Sequence, residues 1–473
     1  MKLNQLTISE AVTGLKENKF SSQELTRACL ERIEKIDKKV KAFITVSKKT
    51  ALAQAEEADR AVKGKNVFER KPLLGVPVAV KDNFCTRGIR TTAGAKILED
   101  YIPVYDATVV KKLKEAGAVI LGKTNMDAWA HGSSTEASDF FTTRNPWDLN
   151  RLPGGSSGGS AAAVIADETV FAIGSETAGS VRQPAAWCGV VGFKPTYGRV
   201  SRYGLIAMAS SLDCPGPMTK TVRDAALVLR VLAGKDRRDA TTSFEKTLSY
   251  LDKNQIKIKG MKIGVARQYF FEGINKEVVA AVLEAIKVLE KQGAEIKKVD
   301  LLDPKYSVAV YTVLQRSEVS SNLARYDGIR YGNDRTQFGE EAKRRIMLGT
   351  YALSAGYYDQ YYLKAQKVRT LICRDFERVF KKVDILIAPT SPSPALKIGA
   401  SAEDPMFGEM QDILVEASTL AGLPGINLLC GFTKDNLPIG MQIIGPQFGE
   451  DLLLKVGHLY QQITDWHKKR PVL

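Results

Sequence analysis

Leu73-Leu74-Gly75-Val76-Pro77-Val78-Ala79-Val80-Lys81-Asp82-Asn83 runs from apolar, valine-rich residues straight into three polar ones. A short apolar run of this kind reads as a buried strand. Such a strand delivers Lys81 to its end. Outward from it, residues 107–117 carry helical apolar spacing, and Ala118-Val119-Ile120-Leu121 follows as a second buried strand. Helix-to-strand alternation of this kind predicts an α/β sheet. The alternation returns downstream, with a strand over 261–266, a helix over 275–292 and a strand over 294–299. Long helices are expected over about 304–379, and further strands at 383–388 and 440–444.

Toward the N-terminus the pattern is helical. Ser21 and Glu24 have capping-box spacing ahead of Leu25, Cys29, Leu30, Ile33 and Ile36, and a second helix is expected over 50–62. Between 145 and 216 glycine and serine are dense, yet residues 161–165 and 170–173 are apolar. That tract reads as loops held on a rigid scaffold and not as a disordered linker. The polar stretch from Gly234 to about Gln255 reads as a loose boundary, and no repeat of solenoid period is present.

A chain of 473 residues, 44% hydrophobic and 26% charged, has material for a large core and length for two or three domains. Its apolar runs are short. Even 161–166 stops at Asp167-Glu168, far below the roughly 18 residues of a membrane span. The N-terminus lacks the apolar stretch of a signal peptide, so a cytoplasmic location is expected and no membrane partner. Six cysteines without a close pair read as reduced thiols, and only three histidines are present. A metal-free mechanism is the expectation. The net charge of +15 would attract polyanions, but the lysines fall in isolated pairs such as Lys38-Lys39, Lys111-Lys112 and Lys381-Lys382. These read as solvated helix faces, which gives no support to sequence-specific nucleic-acid binding.

Two motif matches fail on physical grounds. Gly117-Ala118-Val119-Ile120-Leu121-Gly122-Lys123-Thr124 satisfies the phosphate-loop pattern, yet a phosphate cradle needs flexible backbone where this chain has a strand. Gly155-Ser156-Ser157-Gly158-Gly159 satisfies the nucleophile-elbow pattern around Ser157. That motif needs a preceding strand and a later catalytic histidine. Pro153-Gly154 precedes it instead, and His458 and His467 read as surface positions of a C-terminal amphipathic helix.

Three segments remain to be read together: Val80-Lys81-Asp82-Asn83, the run Pro153-Gly154-Gly155-Ser156-Ser157-Gly158-Gly159-Ser160, and Gly174-Ser175-Glu176-Thr177-Ala178-Gly179-Ser180-Val181-Arg182-Gln183-Pro184-Ala185. They resemble the amidase signature family, whose apparatus is a serine nucleophile, a second serine on a cis peptide, and a lysine. The resemblance covers nearly the whole chain. It implies an α/β amidase signature fold, a large mixed β-sheet covered by helices on both faces. It also implies one amidase domain over 1–473, with N-terminal helices at 1–70, the signature core at 71–233, and the rest of the fold with its recognition residues at 234–473.

Carried over, Ser180 becomes the nucleophile, Ser156 the bridging serine and Lys81 the base. The chemistry is coherent: lysine accepts a proton only when neutral, and a buried strand end disfavours its charged form. Taken alone, Lys81 would read as a lysine salt-bridged to Asp82. Backbone N–H groups of Thr177, Ala178, Gly179 and Ser180 are suited to an oxyanion hole. The family usually has Asp-x-Gly-Gly-Ser where this chain has Glu176-Thr177-Ala178-Gly179-Ser180. Either Ala178 therefore keeps a negative φ, or the hole is reshaped.

Phe193 to Gly204, Ser320 to Gly332 and Arg344 to Tyr351 are similar to the branch of the family that supplies the glutaminase component of tRNA-dependent amidotransferases. This implies that Arg345 holds the α-carboxylate of glutamine and Asp412 its α-amino group. It further implies B and C partner subunits, glutamyl-tRNA(Gln) as the acceptor reached through the complex, and no cofactor in this chain, ATP and Mg²⁺ belonging to the partner. Two other readings stay open: a free-standing amidase of small or aryl amides, and a non-catalytic scaffold in which Ala178 disables the hole.

Overall fold

The computed structural model describes residues 2–64, 66–247, 258–329, 331–402, 404 and 406–473. In chain order its strands are β1 (Phe43–Val46), β2 (Pro77–Lys81), β3 (Val119–Thr124), β4 (Phe171–Glu176), β5 (Val191–Lys194), β6 (Cys214–Thr219), β7 (Lys262–Ala266), β8 (Glu295–Val299), β9 (Ile385–Pro389), β10 (Gly425–Phe432) and β11 (Pro438–Ile444). All eleven join one sheet in the order β1-β3-β2-β4-β6-β5-β10-β11-β9-β7-β8. The sheet is mixed. Pairs β2–β3, β2–β4, β7–β8 and β7–β9 run parallel, and the other neighbours run antiparallel.

Every residue of β2, β3, β4, β5, β6, β9 and β11 is buried. Side chains alternate between faces along a strand, so both faces of the sheet are covered over these strands, while the edge strand β8 stays largely exposed. Helix Gly158–Ile165 packs across β2, β3, β4 and β6, and helix Val222–Leu232 covers β5 and β6. Strand β10 pairs with β5, so strands from before and after the polar 234–255 tract share the sheet. Positions 248–257, which include the end of that tract, lie outside the described residues.

Local sequence explains the elements. Ser21 and Glu24 form the expected reciprocal cap on helix Ser22–Val40, whose buried face includes Leu25, Cys29, Leu30, Ile33 and Ile36. The false phosphate loop is β3, buried throughout. Ser157 stands at the N-terminal cap of helix Gly158–Ile165 with no strand over 153–157, so the elbow geometry is absent. His458 sits half-buried on helix Glu450–Ile463, while His467 lies beyond it, half-buried in the short turn Trp466–Lys468; the expectation of two surface histidines on one helix is corrected there. The glycine- and serine-rich tract is more regular than its composition implies, because it holds helices Gly158–Ile165 and Arg182–Cys188 and strands β4, β5 and β6. Two prolines, Pro215 and Pro217, fit into β6 because β5 pairs only with Met218 and Thr219.

Candidate active site

Lys81 is the last residue of β2 and Glu176 the last of β4, a parallel neighbour. Both therefore reach the carboxyl end of the strands, where open α/β sheets place their ligands. Lys81 Nζ donates to Ser156 Oγ at 2.7 Å and to the Ser175 carbonyl at 3.1 Å. Lys81 and Ser156 are fully buried. Burial pushes the Lys81 ammonium down to about 7 despite the opposing pull of Asp127, Asp213 and Glu176. Lowering it from 10.5 to about 7 corresponds to roughly 5 kcal/mol against the charged form. Desolvation thus wins over three carboxylates, and the neutral amine is accessible near neutral pH.

The Gly155–Ser156 peptide is cis. A Cβ at Gly155 would stand 2.2 Å from Asp127 Oδ2, so this turn passes the carboxylate only as glycine. Ser180 lies between β4 and helix Arg182–Cys188, and its carbonyl accepts from the Ser157 N–H at 3.2 Å. That bond ties the Ser156 turn to the Ser180 loop. The structure thus joins Lys81 to Ser156 directly and brings Ser180 alongside through the backbone. The Ser157 hydroxyl is spent elsewhere, donating to the Ser175 carbonyl at 3.2 Å and accepting from its N–H at 3.3 Å.

Residues 177–180 form a buried loop. Among the described residues, none accepts a hydrogen bond from the backbone N–H groups of Thr177, Ala178, Gly179 and Ser180. Ala178 keeps a negative φ, so the alanine forces no glycine-only torsion. Both ends of the loop are fixed. Glu176 Oε2 accepts from the Val181 and Arg182 N–H groups at 3.2 and 3.0 Å, and Glu176 Oε1 from Arg182 Nε and Nη2 at 2.9 and 2.6 Å. Thr177 Oγ1 donates to Asp213 Oδ1 at 2.6 Å. Free donors on a rigidly held loop are the arrangement that stabilises an oxyanion.

Asp412, on helix Phe407–Leu420, lies directly over this loop: a Cβ at Gly179 would stand 2.2 Å from Asp412 Oδ1. Its Oδ2 accepts from Ser133 Oγ at 2.7 Å, and burial pushes the carboxyl well above its ordinary range. Arg345, on helix Glu340–Leu353, is buried and donates to Glu341 and Gln315 at 2.5 and 2.9 Å. Its Nη2 stands 3.8 Å from Glu409, three residues before Asp412 on the same helix. Arg345 thus reaches, at Glu409, the helix that also carries Asp412, with its guanidinium already shared among protein partners.

Sequence reasoning missed Asp127, Asp213 and Ser133. Asp213 stands in Leu212-Asp213-Cys214-Pro215-Gly216-Pro217, and Ser133 in His131-Gly132-Ser133-Ser134-Thr135; the turn-forming composition of both stretches is the signal that could have marked them. Among the described residues no group of three His, Cys, Asp or Glu side chains stands together as metal ligands. No described helix is long and apolar enough to cross a membrane.

The chain matches the family model described as Amidase over residues 24–454. It is 54% identical over 489 aligned residues to the A subunit of glutamyl-tRNA(Gln) amidotransferase from Carboxydothermus hydrogenoformans, covering 100% of both chains. The solved structure of the corresponding A subunit from Thermotoga maritima is similar at a TM-score of 0.81 and 46% identity, over 96% of this chain and 94% of that one. The peptide amidase of Stenotrophomonas maltophilia superposes at a TM-score of 0.83 with 29% identity, over 98% of each chain. A model match across most of the length and a full-length relative more than half identical place this chain in the amidase signature family.

Proposed function

We propose that this chain is the glutamine-hydrolysing component of a tRNA-dependent amidotransferase. The observation that carries the chemistry is the buried 2.7 Å bond from Lys81 to Ser156 beside a loop whose four N–H groups meet no acceptor among the described residues. Full-length similarity to the A subunits of glutamyl-tRNA(Gln) amidotransferases supports glutamine as the amide.

Ser180 Oγ attacks the side-chain carbonyl carbon of glutamine, and its proton passes through Ser156 to neutral Lys81. The carbonyl oxygen takes up negative charge facing the N–H groups of residues 177–180. As the tetrahedral adduct collapses, the carbon–nitrogen bond breaks and the proton returns through Ser156 to the departing ammonia. A glutamyl ester on Ser180 remains. Water, deprotonated by the same relay, then releases glutamate, so glutamine and water become glutamate and ammonia. Arg345 receives the α-carboxylate through guanidinium N–H groups not spent on Glu341 and Gln315, and Asp412 Oδ1 faces the α-ammonium.

In this reading B and C subunits complete the enzyme, the partner holds ATP and Mg²⁺ and activates glutamyl-tRNA(Gln), and the complex works in the cytoplasm. Glutaminase activity measured on the chain alone, and again with B and C subunits and charged tRNA, tests it. Hydrolysis of glutamine that rises with the partners supports the reading. Turnover of small or aryl amides by the chain alone, without glutaminase activity and without stimulation, favours a free-standing amidase.

A further inference from the structure

Buried polar atoms without a hydrogen-bond partner are few in folded proteins. Here they concentrate where helix Phe407–Leu420 packs on helix Lys305–Leu323, and they include Gln315 Nε2, Arg316 Nε, Asp412 Oδ1, both carboxylate oxygens of Glu416 and both ring nitrogens of nearby His131. Glu409, Asp412 and Glu416 follow at three- and four-residue intervals, so they share one helix face. Their fates differ. Glu409 is neutralised by Arg316 at 2.8 Å and Arg345 at 3.8 Å. Asp412 has only the Ser133 hydroxyl, and Glu416, fully buried, has no hydrogen bond and no ion pair among the described residues.

Burying an ionised carboxylate without a cation costs several kcal/mol, and burial accordingly pushes the carboxyls of both Asp412 and Glu416 well above their ordinary range, favouring the neutral acid unless a cation faces them. Arg316 and Arg345 both face Glu409, Arg316 keeping its Nε unpartnered and acting on Glu416 only through the field, and Arg182 is held by Glu176, Ser418 and Gln442. Asp412 stands beside the oxyanion loop and Glu416 four residues further along the same helix face, and the complement of two such carboxyls is a compact cation with several N–H donors. A primary ammonium has that form. We propose that Glu416 is a specificity residue that, together with Asp412, receives the α-ammonium of glutamine. The inference rests on the glutaminase reading and extends it, since Asp412 alone carries that role there.

The test compares L-glutamine with glutaric acid monoamide, which keeps the carboxylate and the amide and lacks the α-amino group. The assembled enzyme with wild-type chain is measured first, then with Glu416→Gln. The ratio of kcat/KM for glutamine to that for the monoamide should fall at least tenfold in the variant, with the loss residing in the KM for glutamine. Glu416→Asp, which keeps the charge on a shorter stem, should retain part of the preference, so a Gln variant that fails to fold does not end the test. An unchanged ratio in either folded variant, with both substrates affected alike or not at all, overturns the role of Glu416. A wild-type enzyme that hydrolyses neither compound overturns the glutaminase reading itself, and that result appears before any substitution is made.

Discussion

Lys81 is held by burial in a form that the side chain of a free lysine avoids at neutral pH. Its proton affinity is lowered to about 7, so the amine is neutral and able to act as base above that value and charged below it. Activity is expected to fall as pH drops through about 7, which a kcat/KM profile will show. The same burial has a stability consequence. The unfolded lysine stays protonated up to about pH 10.5 while the folded one does not, so folding at pH 7 opposes that affinity and stability rises with pH between these values. Lys81→Met should therefore abolish amide hydrolysis and raise Tm, as calorimetry at pH 7 would record. Ser180→Ala should abolish covalent labelling by a fluorophosphonate, while Ser157→Ala leaves the labelled peptide unchanged, because the Ser157 hydroxyl is bonded to the Ser175 backbone. Arg345→Ala should raise the KM for glutamine far more than it affects a simple amide without an α-carboxylate; equal effects would mean a structural role within the Glu341 and Glu409 cluster. The segments carrying Lys81, Ser156 and Ser180 were legible through their resemblance to a known family, and the structure bonds the first of these residues to the second. Asp127, Asp213 and Ser133 were not, because each acts on a residue distant in sequence and has no spacing signature of its own.

Elements were legible wherever one physical signal dominated. The cap at Ser21 and the apolar spacing after it gave a helix whose face is buried as expected, and Asn275 caps helix Lys276–Lys291 inside the expected 275–292 span. Strand β2 begins at Pro77, later than the apolar run from Leu73, because residues 73–76 turn through Gly75 at φ 75° before pairing starts. The stretch around the site hid its regularity. Glycine, serine and proline are poor guides where tertiary packing decides, and β6 and the helix after Ser157 are built from them. The close approach of helix Phe407–Leu420 to the oxyanion loop was equally invisible, since it depends on Gly179 lacking a side chain. Gly179→Ala would put a methyl 2.2 Å from Asp412 Oδ1 at a position with no torsional need for glycine. It should lower kcat/KM for glutamine at least tenfold while far-UV circular dichroism and Tm show a folded protein.

At the scale of the molecule, one mixed sheet brings a lysine from β2, a serine turn before helix Gly158–Ile165 and a donor loop after β4 to the same edge, and lays a recognition helix from residues 407–420 across them. The α/β class was legible from alternation alone; the strand order, which places β10 beside β5, was not, because long-range pairing leaves no local trace. In the proposed function, the site supplies ammonia and a second chain consumes it, so removing the nucleophile should remove only the ammonia source. The decisive measurement is tRNA amidation by the assembled enzyme carrying Ser180→Ala, with B and C subunits, ATP, Mg²⁺ and glutamyl-tRNA(Gln), comparing glutamine with excess ammonium salt as nitrogen donor. Glutamine-dependent amidation should vanish while ammonium-dependent amidation persists at the wild-type level; loss of both in a folded, assembled variant, or retention of glutamine-dependent amidation, would contradict the role given to this chain.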